Sequence, residues 1–374
     1  MIADDPAARR ACAFLTIDLA AIAANYRRLQ SEANGARTAA VVKADAYGLG
    51  TAKVGPALAR AGAEAFFVAQ LDEAIALRAA LAETCPEAKI HVLMGPMAGT
   101  EADFLAHGIV PVLNSLDDLT LWQRLARKRG DALPAVLHID TGMNRLGLSP
   151  AELDVLADDH GRLAGVTLTT IMSHLACAEE PNNPMNAAQR EAFATALKRL
   201  PRAAASLANS SGIFLGAAYH FDLLRPGVAL YGVNPCPGKP NPMAQVVNLK
   251  GKILQVREID APQSVGYGAS HRVEGATRLA TVGVGYADGY LRSLSNRGSA
   301  FVGGQRVAVM GRVSMDLITL DITSVPREQA RPGALVDLLD PVHGVDALAE
   351  EAGTIGYEVL TALGRRYHRH YVTG

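Results

Sequence analysis

Eight short apolar runs, separated by helix-like stretches, fill residues 35–235 and restrict the chain to very few folds. They are AAVV (39–42), AFFVA (65–69), KIHVLM (89–94), IVPVL (109–113), PAVLHI (134–139), VTLTTIM (166–172), AAASL (203–207) and the less regular LLRPGVAL (223–230). None alternates strictly between apolar and polar residues, the signature of strands buried on both faces. Between them, residues 71–82, 100–107, 115–129, 150–159 and 186–200 read as helices. Carboxylates come early and Arg78 late in 71–82, and Ser115 is placed to cap the next but one. Strand–helix alternation over a span of this size predicts an α/β chain built on a (β/α)8 TIM barrel. A doubly wound open sheet is the competitor, but no GxGxxG follows the first strand.

The texture changes after PCPGKPNP (235–242), four prolines in eight residues that read as a rigid connector. Residues 246–259, 278–285, 305–310 and 315–322 are strand-like, and helix signals are few. The expected organisation is a barrel domain over residues 14–240 and a mainly β C-terminal domain over 241–374, with an N-terminal strand free to join the second. Residues 16–29, TIDLAAIAANYRRL, read as an alanine-rich helix with Asp18 as its N-cap.

At 374 residues, 49% hydrophobic and 20% charged, the chain can bury a large core. A net charge of −1 without a basic run argues against nucleic acid. Cys12, Cys85, Cys177 and Cys236 are scattered, with neither a disulfide framework nor zinc-ligand spacing. No run approaches the ~20 apolar residues of a membrane span. Arg9-Arg10 before ACAFL imitates a signal peptide only faintly, since Asp18 breaks the apolar run; a cytoplasmic protein is expected.

Barrel active sites are built at the C-terminal ends of the strands. Lys43 follows the first run and needs a counter-charge, water or a covalent partner there. Taken alone, AAVVKADAYGLG fits a lysine snorkelling out of a strand end equally well. The fifth strand leads to DTGMNRLG with Arg145, the sixth to SHLA with His174, the seventh to ANSSG with Asn209 and Ser210, and the last to LRPG with Arg225 and Gly227. Cations and a Ser/Gly cradle around a reactive lysine point to a phosphorylated ligand and a Schiff base.

AVVKADAYGLG, HIDTGMNRLGLS, SHLACAEE, ANSSG, LRPGVALYG, VGYGAS, VGYADG, GRVSMD and IGYEVL, in that order, resemble the motif set of the alanine racemases. The resemblance runs from about residue 14 to the C-terminus. It implies pyridoxal 5'-phosphate (PLP) as cofactor, a small amino acid as substrate, and a head-to-tail homodimer with shared active sites. It implies Lys43 as the PLP lysine and a base on one face of the substrate, and Tyr267 as the opposite base, where the residues alone suggest an ordinary strand tyrosine. Arg225 would face the pyridine nitrogen. Tyr47, Ser210, Gly227, Tyr357 and the Val228 backbone would hold the phosphate, with Asn209 beside them. His174 would pack on the ring, Arg145 and the Met315 N–H would hold the substrate carboxylate, and Tyr286 would line the entrance. No metal is implied.

Two departures from that pattern stand out. His138 occupies a position where many members carry a lysine, often carbamylated, and Ser206 replaces a histidine that reaches the pyridine-facing arginine in some. Basic amino-acid decarboxylases share the architecture but use an acidic residue opposite the pyridine nitrogen. A serine or broader-specificity racemase is a closer rival. A non-catalytic PLP carrier would share the lysine and the phosphate cradle but lack the β domain.

Overall fold

The structure, a computed structural model, describes residues 5–373. They divide into two compact units: residues 22–46 with 50–244, and residues 5–21 with 47–49 and 245–373.

The first unit carries a sheet of seven parallel strands in chain order: Ala40–Val41, Ala65–Val68, Lys89–Val92, Ile109–Leu113, Leu133–His138, Val166–Met172 and Ala204–Ser206. The eighth run contributes only Leu223–Leu224, paired in parallel with Arg37–Thr38. Ring closure is completed outside regular strand: Asp222 N donates to Ala205 O (2.9 Å), Arg225 N to Ala208 O (3.0 Å), and Val41 N to Pro226 O (3.0 Å). The expected longer strand stops here because Pro226 has no N–H for the ladder, and the chain turns into Val228–Tyr231. Helix starts carry the caps their sequences suggest. Ser115 Oγ accepts from Asp118 N (3.1 Å), and Ser149 with Glu152 forms a capping box. Phe66, Phe67, Phe104, Trp122 and Phe193 are fully buried around the strands.

The second unit holds an eight-stranded sheet. Its long strand Val247–Ile259 pairs with Ala13–Asp18, Leu335–Leu339 and Thr277–Val282, all antiparallel. Ala13–Asp18 also pairs in parallel with His368–Val372. Residues 16–18 are therefore strand, not the start of a helix as expected. The helix is Leu19–Glu32, and the Asp18 carboxylate still caps it through Ala21 N (2.8 Å). Phe14, Leu15 and Ile17 are buried, and a sheet offers an apolar run of this kind more burial than one helical turn can. A separate hairpin, Gln263–Val265 with His271–Val273, packs Val265 and Val273 on Leu279.

Candidate active site

The C-terminal ends of the barrel strands carry Lys43, His138, Arg145, His174, Ser210 and Arg225, all in the first compact unit, with His138 and Arg145 sharing one βα unit and the other four each on its own. Lys43 leads into an unusual backbone. Ala44, Asp45, Ala46 and Tyr47 all hold φ at 54°, a left-handed turn built from residues with side chains. Such a turn costs about 1–2 kcal/mol per residue, so it needs outside support. The Glu73 carboxylate accepts from Ala44 N (2.6 Å) and from Ala69 N (2.7 Å), tying the turn to the next βα loop. Asp45 closes the far end, its side chain accepting from Thr51 N (2.8 Å) and its carbonyl from Gly50 N (2.8 Å). Burial, and then the charge of Arg145, lower the Lys43 pKa, with Glu73 opposing. The amine is thereby shifted toward its neutral, nucleophilic form.

Arg225 is 4% exposed and meets only neutral oxygens: Nη1 donates to Ser206 Oγ, and Nη2 to Ser173 O (2.6 Å) and Leu207 O (3.4 Å). Burial brings it down to about 10, still a cation at neutral pH. Among the described residues no carboxylate pairs with it. Ser206 thus occupies a guanidinium nitrogen, and its own hydroxyl donates a hydrogen bond to Leu223 O (2.5 Å).

Ser210 is buried, and its Oγ accepts from Gly227 N (2.9 Å) and Ala229 N (3.2 Å). With both lone pairs engaged, the hydroxyl proton is left to donate outward. Asn209 caps the short turn that carries Ser210, its Oδ1 accepting from Gly212 N (2.9 Å). His174 is half-buried, and burial followed by Arg225 and Arg145 pushes its pKa well below the usual range.

His138, the departure noted in the sequence, hydrogen-bonds through Nδ1 to Asn114 Oδ1 (2.8 Å). The Asn114 amide nitrogen is spent on Leu93 O and Val112 O (3.1 Å each), so its oxygen must be the acceptor and Nδ1 carries the proton. Burial and then Arg225 hold His138 at about 4, neutral, with Nε2 as an acceptor. Arg145 is exposed on a loop gathered by Asp140, which accepts from Gly142 N, Met143 N (2.9 Å each) and Asn144 N (3.0 Å).

Val228, buried directly after Gly227, is also in the first unit; Tyr47, Tyr267, Tyr286, Met315 and Tyr357 lie in the second. Tyr267 occupies the hairpin turn and is 71% exposed; Met315 is 53% and Tyr286 42% exposed. Tyr47 and Tyr357 bring their ring centroids to 6.2 Å, and burial raises the Tyr47 hydroxyl pKa. Asp316 pairs with Arg366 (2.6 Å), which also grips Asp288.

Glu73, Asn114 and Arg366 are not singled out by the sequence. Glu73 passes there for an ordinary first-turn carboxylate, and the Asn114–His138 contact depends on strand register.

Residues 17–235 match the model of the alanine racemase N-terminal domain, and residues 246–371 that of the alanine racemase C-terminal domain. The alanine racemase of Rhodospirillum rubrum is 54% identical over 363 residues, which cover 97% of this chain and 96% of that protein. A protein of Mesorhizobium japonicum named as a catabolic alanine racemase is 51% identical, covering 97% of this chain and 94% of its own length. The crystal structure of alanine racemase from Bartonella henselae with covalently bound pyridoxal phosphate superposes with a TM-score of 0.93 at 41% identity, covering 97% of this chain and 100% of that one. The chain belongs to the alanine racemase family, whose members depend on pyridoxal phosphate.

Proposed function

We propose that the protein interconverts L- and D-alanine in the cytoplasm by a two-base mechanism, supplying D-alanine for peptidoglycan. The observation that carries this reading is Arg225, a buried cation whose partners are all neutral oxygens. A decarboxylase of this architecture would need an acid there.

The residues fit PLP. Lys43 offers an amine shifted toward neutrality for an aldehyde, and Ser210 has a hydroxyl proton to give to a phosphate oxygen, with the Gly227 and Val228 backbone and Asn209 around it. Tyr47 and Tyr357 complete that phosphate set in our reading. When bound, PLP draws electrons from the substrate α-carbon and so acidifies its proton.

The chain's own groups then decide where that proton goes. Inversion requires one base on each side of the carbon. Lys43 Nζ serves one side and the Tyr267 hydroxyl the other, the tyrosine coming from the second copy in a head-to-tail homodimer. Arg225, charged at all working pH values, keeps a proton off the pyridine nitrogen. This limits how far negative charge spreads from the α-carbon and guards against protonation at the wrong atom. His174 packs beside it as a neutral ring. Arg145 and the Met315 N–H hold the substrate carboxylate, His138 Nε2 gives the Arg145 neighbourhood a neutral acceptor, and Tyr286 narrows the entrance.

Incubating the holoenzyme with single L-amino acids in deuterated water tests this reading. Deuteration of alanine at the α-carbon with inversion is expected. Loss of carbon dioxide, or no exchange at all, would overturn it, and equal exchange of serine would widen the substrate class. Relatives named catabolic leave the fate of the product to a second experiment: deletion of the gene should impose a requirement for D-alanine.

A further inference from the structure

We infer that Arg366 is a positioning residue for the substrate carboxylate, acting by holding the Asp316 carboxylate away from the Met315 N–H. The inference rests on the reading above that this N–H receives the carboxylate of alanine.

Two loops of the second unit are locked together. Tyr286 N donates to Ser314 O (3.0 Å), and Ala287 N to Met315 O (2.9 Å). Gly285 permits this approach: a Cβ there would lie 2.4 Å from the carbonyl oxygens of both Ser314 and Met315. The loops bearing Tyr286 and Met315 are therefore bonded into one packed support. Their backbone bonds use the carbonyls and leave the Met315 N–H with no acceptor among the described residues.

The negative charge beside that N–H is the difficulty. Asp316 follows directly, and its side chain is 56% exposed. Asp288, on the other loop, is 4% exposed, and its Oδ2 accepts from Gly285 N (2.9 Å). One carboxylate is the next residue in the chain and the other lies on the loop bonded to Met315, so both bring negative charge toward a place meant for a third, and like charges repel. Arg366 answers both. Nε and Nη2 take Asp288 Oδ1 (2.6 Å) and Oδ2 (2.9 Å) as a two-pronged pair, and Nη1 takes Asp316 Oδ1 (2.6 Å). Only a planar guanidinium reaches three oxygens in this way. The segment before it is anchored independently, since Gly364 N donates to Asp288 O (2.8 Å). Arg366 therefore approaches the two aspartates from a fixed backbone.

Arg366 has two effects that can be separated. Its grip on the nearly buried Asp288 is structural, and its grip on Asp316 is electrostatic toward the ligand. Arg366→Met removes both, and Asp316→Asn in that background restores only the second.

In holoenzyme, Arg366→Met should raise KM for alanine about ten-fold, equivalent to about 1.4 kcal/mol, with kcat within about three-fold and a lowered Tm. Adding Asp316→Asn should bring KM back to within about three-fold of wild type while Tm stays low. The Kd of propionate, which is alanine without its amine, should follow KM through the same series and gives a readout independent of turnover. An unchanged KM in Arg366→Met, or a KM that does not recover in the double variant, would overturn the inference. If Arg366→Met does not fold, Arg366→Lys, which keeps charge without the three-point grip, should show a smaller rise relieved by the same second substitution. Failure of propionate to compete with alanine in the wild type would instead overturn the carboxylate-site reading itself.

Discussion

The two halves of the proposed chemistry sit in contrasting surroundings. In the barrel unit, Arg225 and His138 are 4% and 8% exposed, and their states are fixed by near neighbours within the same unit. In the β unit, Tyr267, Met315 and Tyr286 are 71%, 53% and 42% exposed. The barrel thus arrives with its electrostatics already set, as preorganised sites require. The β unit presents side chains on a rigid support, with the environment that would tune them still to be supplied. A phenol with an ordinary pKa near 10 becomes an effective base only beside cations. Most of the site's cations belong to the barrel, which is why we read Tyr267 as completed by a second copy.

The sharpest way to break this contrast is at Lys43. Lys43→Ala should abolish the Schiff-base absorption near the visible edge and lower racemisation by at least about 1,000-fold, the scale of a lost nucleophile and base. A surviving absorption band in a PLP-loaded variant would remove Lys43 from the role. Tyr267→Phe should slow α-proton exchange on one enantiomer by about 100-fold or more while leaving the other far less affected. Equal, mild losses on both would mean that the exposed tyrosine is not a second base.

Arg225→Glu should change the partition rather than simply the rate. Pyruvate released per racemisation should rise by roughly ten-fold as protonation at the wrong atom becomes easier, and an unaltered ratio would count against the arginine's role. A separate effect, outside the chemistry, is on acid stability. His91 and His138 are held at about 4, mainly by burial, against 6.5 when free. The unfolded chain therefore binds protons first, and stability present above pH 6.5 is lost between 6.5 and about 4, by up to about 3 kcal/mol for each histidine. His91→Asn keeps a donor for Phe66 O and should flatten part of that slope in urea melts taken across this range. A slope identical to wild type would show that His91 is not among the groups responsible.

Much of the barrel could be read from the chain because strands buried on both faces advertise themselves as apolar runs. Where the sequence misled, backbone chemistry was the reason. LLRPGVAL stays apolar past Arg225, but Pro226 cannot donate to a ladder. The helix Thr51–Arg60 is disguised by Gly55 and Pro56 in its interior, where Gly55 lets Leu77 pack close: a Cβ would lie 2.7 Å from Leu77 Cδ1 and push that methyl aside. Residues 16–18 looked helical beside an alanine-rich neighbour, although the sheet holds them. The candidate residues at strand ends could be named from the barrel and the family motifs together. Their partners did not: Glu73 lies 29 residues from the backbone it supports, and Arg366 lies 50 and 78 from the two aspartates it bridges.

The left-handed turn after Lys43 makes the lysine's mounting stiff. Four L-residues wound against their preferred hand and clamped at both ends cannot drift into a neighbouring basin without breaking the Glu73 and Asp45 bonds. In the chemistry we propose, passing the amine between partners would fall to the lysine's own four methylenes, with the main chain standing still. The same feature marks where this protein has sacrificed durability for aim. Glycine at Ala44 or Ala46 would relax the winding, and the more comfortable chain would hold its reactive nitrogen less truly.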